Sequence, residues 1–520
     1  MGRNPFNGSA DGSSSNFDRL VADAMNYWHA PGLAVAIVDD KDIVSKGYGV
    51  TRLKNDDQSD ENEMEEVPVT PETLFDIASM SKSFTAAAMA LLVEDEELKD
   101  VSWRTPVSKL CSDFVFENEF ATENLSVEDI LSHRSGLPGH DEFLRSIRHN
   151  TPDTPASLTR NLRNLPFTRP IRTEWQYSNT LYTAAAHLVE TLSHTDFENL
   201  LRSRFWTPLD MRRTYLGLER VPASESNHVA HGYVWLREKA QYKPLPHYPE
   251  PEGMGAGSII SNVEDVARWI RAFIHRAPPL SDASYTELAT PRILESKTKV
   301  PRLSPTFYAL GWEVSYYHGH AIIQHGGLWA GFSSLMLYIP SKEWGFVMMG
   351  NTYSAGEAIA DLQWYLVDEV LGIPAAERFD WRSHLQKADD DGSKADSKED
   401  LYPELREREG PSSTDQPDLE PFAGTYRNKG YHEIVLKYNS AQRRLEVDCS
   451  DRSFQFRLAI KEHAYEHWFV ADMIYVETED KRTMRCKFEC NEEGECQKVG
   501  LGICEELDGL IWFEKVAAQE

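Results

Sequence analysis

Ser79 and Lys82 stand three residues apart in Phe75-Asp76-Ile77-Ala78-Ser79-Met80-Ser81-Lys82, where a stretch with helical periodicity begins. Residues i and i+3 share one face of a helix, so the hydroxyl and the amine are expected within hydrogen-bond reach, the layout of an activated serine nucleophile. Placement at a helix start adds free backbone N–H donors and positive dipole potential, which favour an alkoxide and then a tetrahedral oxyanion. Ser-x-x-Lys recurs by chance in a chain of 520 residues, so its meaning depends on what accompanies it.

Two elements accompany it in the chain order this chemistry requires. Tyr177-Ser178-Asn179 lies within Trp175-Gln176-Tyr177-Ser178-Asn179, and His325-Gly326-Gly327 within Ile322-Ile323-Gln324-His325-Gly326-Gly327-Leu328-Trp329. Ser-x-x-Lys, Tyr-x-Asn and Lys/His-x-Gly together resemble the signature set of the serine β-lactamase and penicillin-binding-protein superfamily. Its class C branch includes D-aminopeptidases, DD-peptidases, family VIII esterases and the lovastatin acyltransferase. Further landmarks agree: Pro31-Gly32-Leu33-Ala34-Val35, Leu131-Ser132-His133-Arg134-Ser135-Gly136-Leu137-Pro138, Pro208-Leu209-Asp210-Met211 and Gly257-Ser258-Ile259-Ile260-Ser261. The resemblance runs from about residue 17 to about 372 and implies an α/β catalytic domain of the class C β-lactamase type, an antiparallel sheet flanked by helices plus a mainly α region.

Roles follow from chemistry and resemblance together. Ser79 would attack an acyl carbonyl and form an acyl-enzyme. Lys82 and Tyr177 are both candidate general bases, and the sequence does not rank them. An ammonium near ~10.4 and a phenol near ~10 must each be depressed to act at neutral pH, and their proximity is one route, pairing a tyrosinate with an ammonium. Asn179 would point the same way as Tyr177 in an extended segment and bind Lys82 and a substrate carbonyl. The resemblance implies an oxyanion hole from the backbone N–H of Ser79 and of Leu328, and Gly326 and Gly327 would let substrate approach the backbone. His325 replaces the Lys of many β-lactamases and matches D-aminopeptidases, which argues against antibiotic resistance as the main role. Trp175, Trp329 and Phe332 are candidates for an apolar acyl pocket, with about one of the three expected to touch substrate.

Other chemistries lack their frames. No Gly-x-Ser-x-Gly elbow occurs, and Gly253-Met254-Gly255-Ala256-Gly257 lacks dinucleotide-binding spacing. His228 with His231, and His318 with His320 and His325, lack a His-Glu-x-x-His frame, so no metal and no cofactor are expected. Cys111 stands apart, whereas Cys449, Cys486, Cys490, Cys496 and Cys504 crowd the last hundred residues without zinc-site spacing. Cys490 and Cys496 flank a turn and are expected across two strands, as free thiols.

The elements that must position these residues can be read from periodicity. A helix is expected over 17–28, strands over 32–38 and 43–50, and a helix over 81–97 carrying the nucleophile. Helices follow over 126–131, 181–192, 196–205 and 263–272, strands over 321–324, 332–339 and 344–349, and a closing helix over 355–371. The expected organisation is a disordered tail (1–16), a catalytic domain (17–374), an acidic linker (375–418) and a lipocalin-like β domain (419–520). Residues 54–66 are expected to form a solvated acidic loop. Phe422-Ala423-Gly424-Thr425-Tyr426 resembles the opening of the lipocalin-like domain often fused to this family, and period-2 alternation past it fits a small barrel.

The chain is 41% hydrophobic and 26% charged, ordinary globular usage, with a formal net charge of -29. That charge argues against nucleic acid or an anionic membrane as partner. No signal-peptide core and no membrane-length apolar run is present, so a cytoplasmic location is expected. The sequence carries no signal for oligomeric state. The functional expectation is a serine acyl hydrolase acting on a small ester or amide. An acyltransferase of secondary-metabolite assembly would use the same acyl-enzyme, and a non-catalytic binding protein on this fold is the third possibility.

Overall fold

Two neighbouring strands, β1 (Gly32–Asp39) and β2 (Asp42–Gly49), form a hairpin on one side of the main sheet. The sheet is completed by β3 (Ile293–Ser296), β4 (Thr306–Tyr308), β5 (Glu313–Tyr317), β6 (His320–Trp329), β7 (Phe332–Ile339) and β8 (Trp344–Gly350). The order is β2-β1-β8-β7-β6-β5-β4-β3, with antiparallel neighbours throughout. The chain is described from a computed structural model, which covers residues 4–6, 15–54, 66–392, 401–403 and 417–517. Most of the expected tail, nearly all of the acidic run at 54–66 and much of the linker lie outside the described residues.

Both faces of this sheet are covered, which explains why its central strands read as unbroken apolar runs. Leu33, Val35 and Ile37 of β1 face α1 (Asn16–Tyr27) and α5 (Ala355–Leu371), together with Leu335, Leu337, Phe346 and Met348. Their alternates Ala34, Ala36 and Val38 join Met336, Val347 and Met349 in the core formed with α2 (Ser81–Val93) and α4 (Val263–His275). A one-residue register slip would exchange these sets. Helix α1 starts on a capping box between Ser15 and Asp18, and α5 stops where Gly372 turns left-handed at φ +73°.

Helix α2 is buried on all sides from Ser81 to Leu92, as expected of a helix at the centre of a core. It ends at Val93, short of the expected 97, where polar Glu94–Glu97 leave the core. Helix α3 (Asn179–Ser193) packs beside it in the mainly α region. Within the stretch expected as linker, α6 (Trp381–Gly392) begins with an apolar anchor, the Trp381 ring stacked on Trp364 at 4.0 Å.

The C-terminal domain is a closed eight-stranded barrel running from Gly424–Asn428 to Ile511–Lys515, with sequential strands adjacent. Inward residues such as Leu436, Leu445, Phe456, Met473, Phe488 and Phe513 fill it. Cys490 pairs with Cys496 in the ladder, and all six cysteines are free thiols. The barrel docks on the α region through a polar seam. Tyr431 Oη meets His140 Nδ1 at 2.6 Å, the Asn161 amide donates to Gly430 O at 2.9 Å, and Ser453 N–H donates to Leu144 O at 2.9 Å.

Candidate active site

Ser79 lies in a single 3-10 turn, Ala78–Met80, between the short strand Phe75–Asp76 and α2. The turn is strained: Ala78 adopts φ +46°, costly for a residue with a Cβ. Two neighbours hold it there. Asp76 Oδ1 accepts the Ala78 N–H at 2.7 Å, and the Ser334 hydroxyl donates to Ile77 O at 2.9 Å. β6 packs so closely that a Cβ on Gly327 would lie 2.3 Å from Ile77 O, whereas the same addition at Gly326 meets nothing nearer than 3.6 Å. Glycine at 327 is therefore demanded by the turn that carries Ser79, a packing reason that the motif alone did not reveal.

The first turns of α2 and α3 bring the motif residues together. Lys82 Nζ is 3.0 Å from Ser79 Oγ, 2.8 Å from Asn179 Oδ1 and 2.8 Å from Ala256 O. The Tyr177 hydroxyl donates to Ser79 Oγ at 2.7 Å. Ser178, extended at φ -141°, caps α3, and this lets Tyr177 and Asn179 converge on one point as expected. Burial brings the Lys82 ammonium down to about 7, with the Asp141 charge pulling the other way. Burial drives the Tyr177 phenol up instead, with the Ser79 hydrogen bond opposing. The tyrosinate–ammonium pairing considered from sequence is thus reversed: in this apolar enclosure both groups favour their neutral forms, and only for the amine does that create a base.

His325 lines the cleft, yet both ring nitrogens are occupied. Nδ1 donates to Gly326 O at 2.7 Å, which leaves Nε2 to accept from the Tyr308 hydroxyl at 2.9 Å. Burial, then the nearby Lys82 charge, push its pKa down to about 3, so the ring is neutral. His133 is similarly buried and held well below its ordinary range. Its Nδ1 accepts the Ser178 N–H at 3.1 Å, and its ring lies 4.4 Å from that of Tyr177 and 4.5 Å from that of Tyr308. The sequence marked His133 only as a landmark and gave no sign of Tyr308, whose strand is three residues long.

Asp141 was also missed. Its Oδ2 accepts from the Asn179 amide at 3.1 Å, orienting Asn179 Oδ1 toward Lys82. Burial raises its carboxyl to about 6 and that of Glu142 to about 7.

These groups open into a cleft of roughly 2060 Å³ shared by the catalytic domain and the barrel. Trp175 lines it, as do Gly326, Gly327 and the exposed Leu328. Trp329 lines it too and packs edge-on against Phe454 of the barrel at 4.6 Å. Phe332 does not reach it: as the first residue of β7 it faces the core, fully buried against Phe75 and His247. The expected acyl-pocket role is corrected for this residue, because strand alternation sends its ring inward.

Among the described residues, one group of three could hold a metal ion. Cys111, Asp113 and His187 bring ligand atoms within 4.8 Å of one another, outside the cleft lining. The Arg160 guanidinium already engages the Asp113 carboxylate at 3.2 Å. No described helix is long and apolar enough to cross a membrane.

A Ser-x-x-Lys that spans a 3-10 turn and the start of α2, a tyrosine on the serine and a glycine-bearing strand against the Ser79 turn define a penicillin-binding-protein-like serine hydrolase architecture. The chain belongs to the Beta-lactamase family, whose model matches residues 17–369. It is similar along its length to Unguisins hydrolase ungD' of Aspergillus campestris, at 33% identity over 516 residues, covering 98% of this chain and 93% of the relative. Unguisins hydrolase ungD of Aspergillus violaceofuscus matches at 32% over 545 residues, covering 100% and 93%. Among solved structures, the octameric penicillin-binding protein homologue from Pyrococcus abyssi superposes with TM-score 0.59 at 20% identity, covering 96% of this chain and 99% of that one. The D-amino acid amidase from Ochrobactrum anthropi SV3, complexed with L-phenylalanine amide, gives 0.53 at 20%, covering 69% and 98%.

Proposed function

We propose that this protein hydrolyses a small ester or amide through an acyl-enzyme on Ser79, acting in the cytoplasm. The observation that carries this reading is the environment of the Lys82 amine. A neutral amine has two N–H groups and one lone pair; Asn179 Oδ1 and Ala256 O take the two N–H groups, and the lone pair is left for the Ser79 hydroxyl. Lys82 is therefore the general base, and with a pKa of about 7 a large share of it is free near neutral pH.

The Ser79 oxygen attacks the acyl carbonyl as its proton passes to Lys82. The resulting oxyanion is held by the N–H groups of Ser79 and Leu328. Tyr177, a neutral phenol, relays a proton between Lys82 and the leaving group, and water then enters by the reverse path to free the acid. The similarity to two hydrolases over nearly the whole chain supports water as the acceptor.

Intact-mass analysis after incubation with a fluorophosphonate tests the reading. One adduct is expected on the wild type and none on Ser79→Ala. Absence of an adduct on folded wild-type protein, under conditions that label another serine hydrolase, would overturn it. A panel of activated esters and amino-acid amides, with and without added alcohols or amines, then shows whether the acyl group goes to water.

A further inference from the structure

Outside the cleft, Cys111, Asp113 and His187 each aim one ligand atom at the same point, with the three atoms within 4.8 Å of one another. Cys111 and Asp113 follow the single helical turn Val107–Leu110 and share a tight turn, closed by the Phe114 N–H donating to Cys111 O at 3.2 Å. The buried rings of Phe114 and Phe116 pin that turn in the core. His187 projects from α3, about two turns beyond Asn179, and its helical neighbours Ala184, Ala185, Ala186, Leu188 and Val189 are buried. The backbone beneath all three ligands is therefore fixed by packing, as a preformed site requires.

Thiolate, imidazole and carboxylate together form a donor set suited to zinc. At zinc bond lengths in a tetrahedron, an imidazole nitrogen and a carboxylate oxygen lie roughly 3.3 Å apart, and pairs that include sulfur roughly 3.6 Å. His187 Nε2 and Asp113 Oδ2 are already 3.3 Å apart. With the sulfur within 4.8 Å of both partners' ligand atoms, side-chain movement of roughly 1 Å closes the triangle. Thiolate and carboxylate balance the charge of a divalent cation, and a neutral ring adds none. Cys111 is buried, whereas the His187 and Asp113 side chains are 16% and 29% exposed, which provides an entry path and a fourth position for water.

Two basic groups stand nearby. Arg160 contacts the Asp113 carboxylate at 3.2 Å, but its side chain is 52% exposed, and giving up a surface ion pair costs little. Arg163 donates to the Asp113 carbonyl and leaves the carboxylate free. Glu190, one turn beyond His187 on α3, adds negative potential at the ring. We propose that Cys111, Asp113 and His187 form a structural site for a divalent metal ion of the zinc class, tying the Cys111 turn to α3. The site is separate from Ser79 and does not depend on the reaction assigned to it.

The test is titration of the full-length, chelator-treated protein with Co(II), whose thiolate complexes absorb strongly, followed by displacement with Zn(II). A cobalt–thiolate band that saturates at one ion per chain is expected, and zinc should remove it. Cys111→Ser and His187→Gln should each weaken binding by about a hundredfold, one ligand's share of the affinity of a protein zinc site. Zinc should also raise the thermal midpoint of the wild type and leave that of either variant unmoved. Asp113→Asn, at the most exposed of the three positions, is the variant to use should the other two not fold. Absence of a cobalt–thiolate band at millimolar Co(II) would overturn the proposal and leave a hydrogen-bonded cluster. A band of wild-type strength in the folded variants would overturn it too, placing the ion on the barrel cysteines.

Discussion

The barrel interior and the catalytic cleft bury comparable side chains for opposite ends. Inside the barrel the buried surface is apolar, with the Phe422 and Phe488 rings stacked at 4.3 Å, and the buried Tyr426 hydroxyl finds an acceptor, donating to Phe422 O at 2.8 Å. The cleft encloses a fully buried lysine, neutral histidines, and carboxyls with unpartnered oxygens. One region is satisfied and stabilises; the other is left unsatisfied, and its groups are displaced from their ordinary ionisation by burial. Chemistry is concentrated where the fold is least content.

Substitutions should separate the two regions sharply. Ser79→Ala is expected to lower kcat/KM by about 10⁴-fold or more and to leave the urea midpoint unmoved, measured by turnover and by denaturation of the same sample. Tyr177→Phe removes the relay phenol and should reduce kcat by roughly 10²–10⁴-fold, read by steady-state kinetics on a poor-leaving-group amide. Phe488→Ala empties part of the barrel and should cost about 3–5 kcal/mol by urea titration, while the rate of Ser79 labelling below the unfolding transition stays at the wild-type value. A loss of labelling in parallel with that stability would erase the contrast.

The same contrast predicts opposed pH profiles. On the proposed mechanism Lys82 acts as base only when neutral, so labelling should rise with pH through about 7 and level off above it. Asp141, Glu142 and Glu252 have folded-state values raised to about 6, 7 and 7, so the folded chain holds their protons more tightly than the unfolded chain does. The stability they contribute is present below the unfolded carboxyl range and is lost as pH rises through 6 to 7. Buried neutral His133 and His325 and the depressed Lys82 amine act with the opposite sign over this range, so the carboxyl share is read as a difference: the urea midpoint of Glu252→Gln should fall less, or rise more, than that of the wild type between pH 4.5 and 8. Parallel profiles for the two proteins would contradict the ionisation of Glu252 described here.

The convergence of Ser79, Lys82 and Tyr177 was legible because each lies in a short local motif, and the central strands because burial on both faces leaves an unbroken apolar run. The closing helix, Ala355–Leu371, was legible to the residue. What escaped has no local signature. His133, Tyr308, Asp141 and Glu252 reach the site by tertiary contact from separate elements, and no spacing in the chain links them. The strands carrying Glu295, Tyr308 and Glu313 are short and partly polar, so alternation had little to act on. Phe332 was misplaced for the converse reason: nearness in sequence to the third motif does not fix which face of β7 a ring takes.

The hydrogen bond from Ser453 to Glu252, and the one from Tyr353 to Glu477 at 2.8 Å, divide one cleft wall between two domains. Loops at that end of the barrel can therefore vary independently of Ser79, Lys82 and Tyr177. Recombining barrels on a fixed N-terminal domain is expected to reshape this wall while leaving the hydrogen bonds among Ser79, Lys82 and Tyr177 in place.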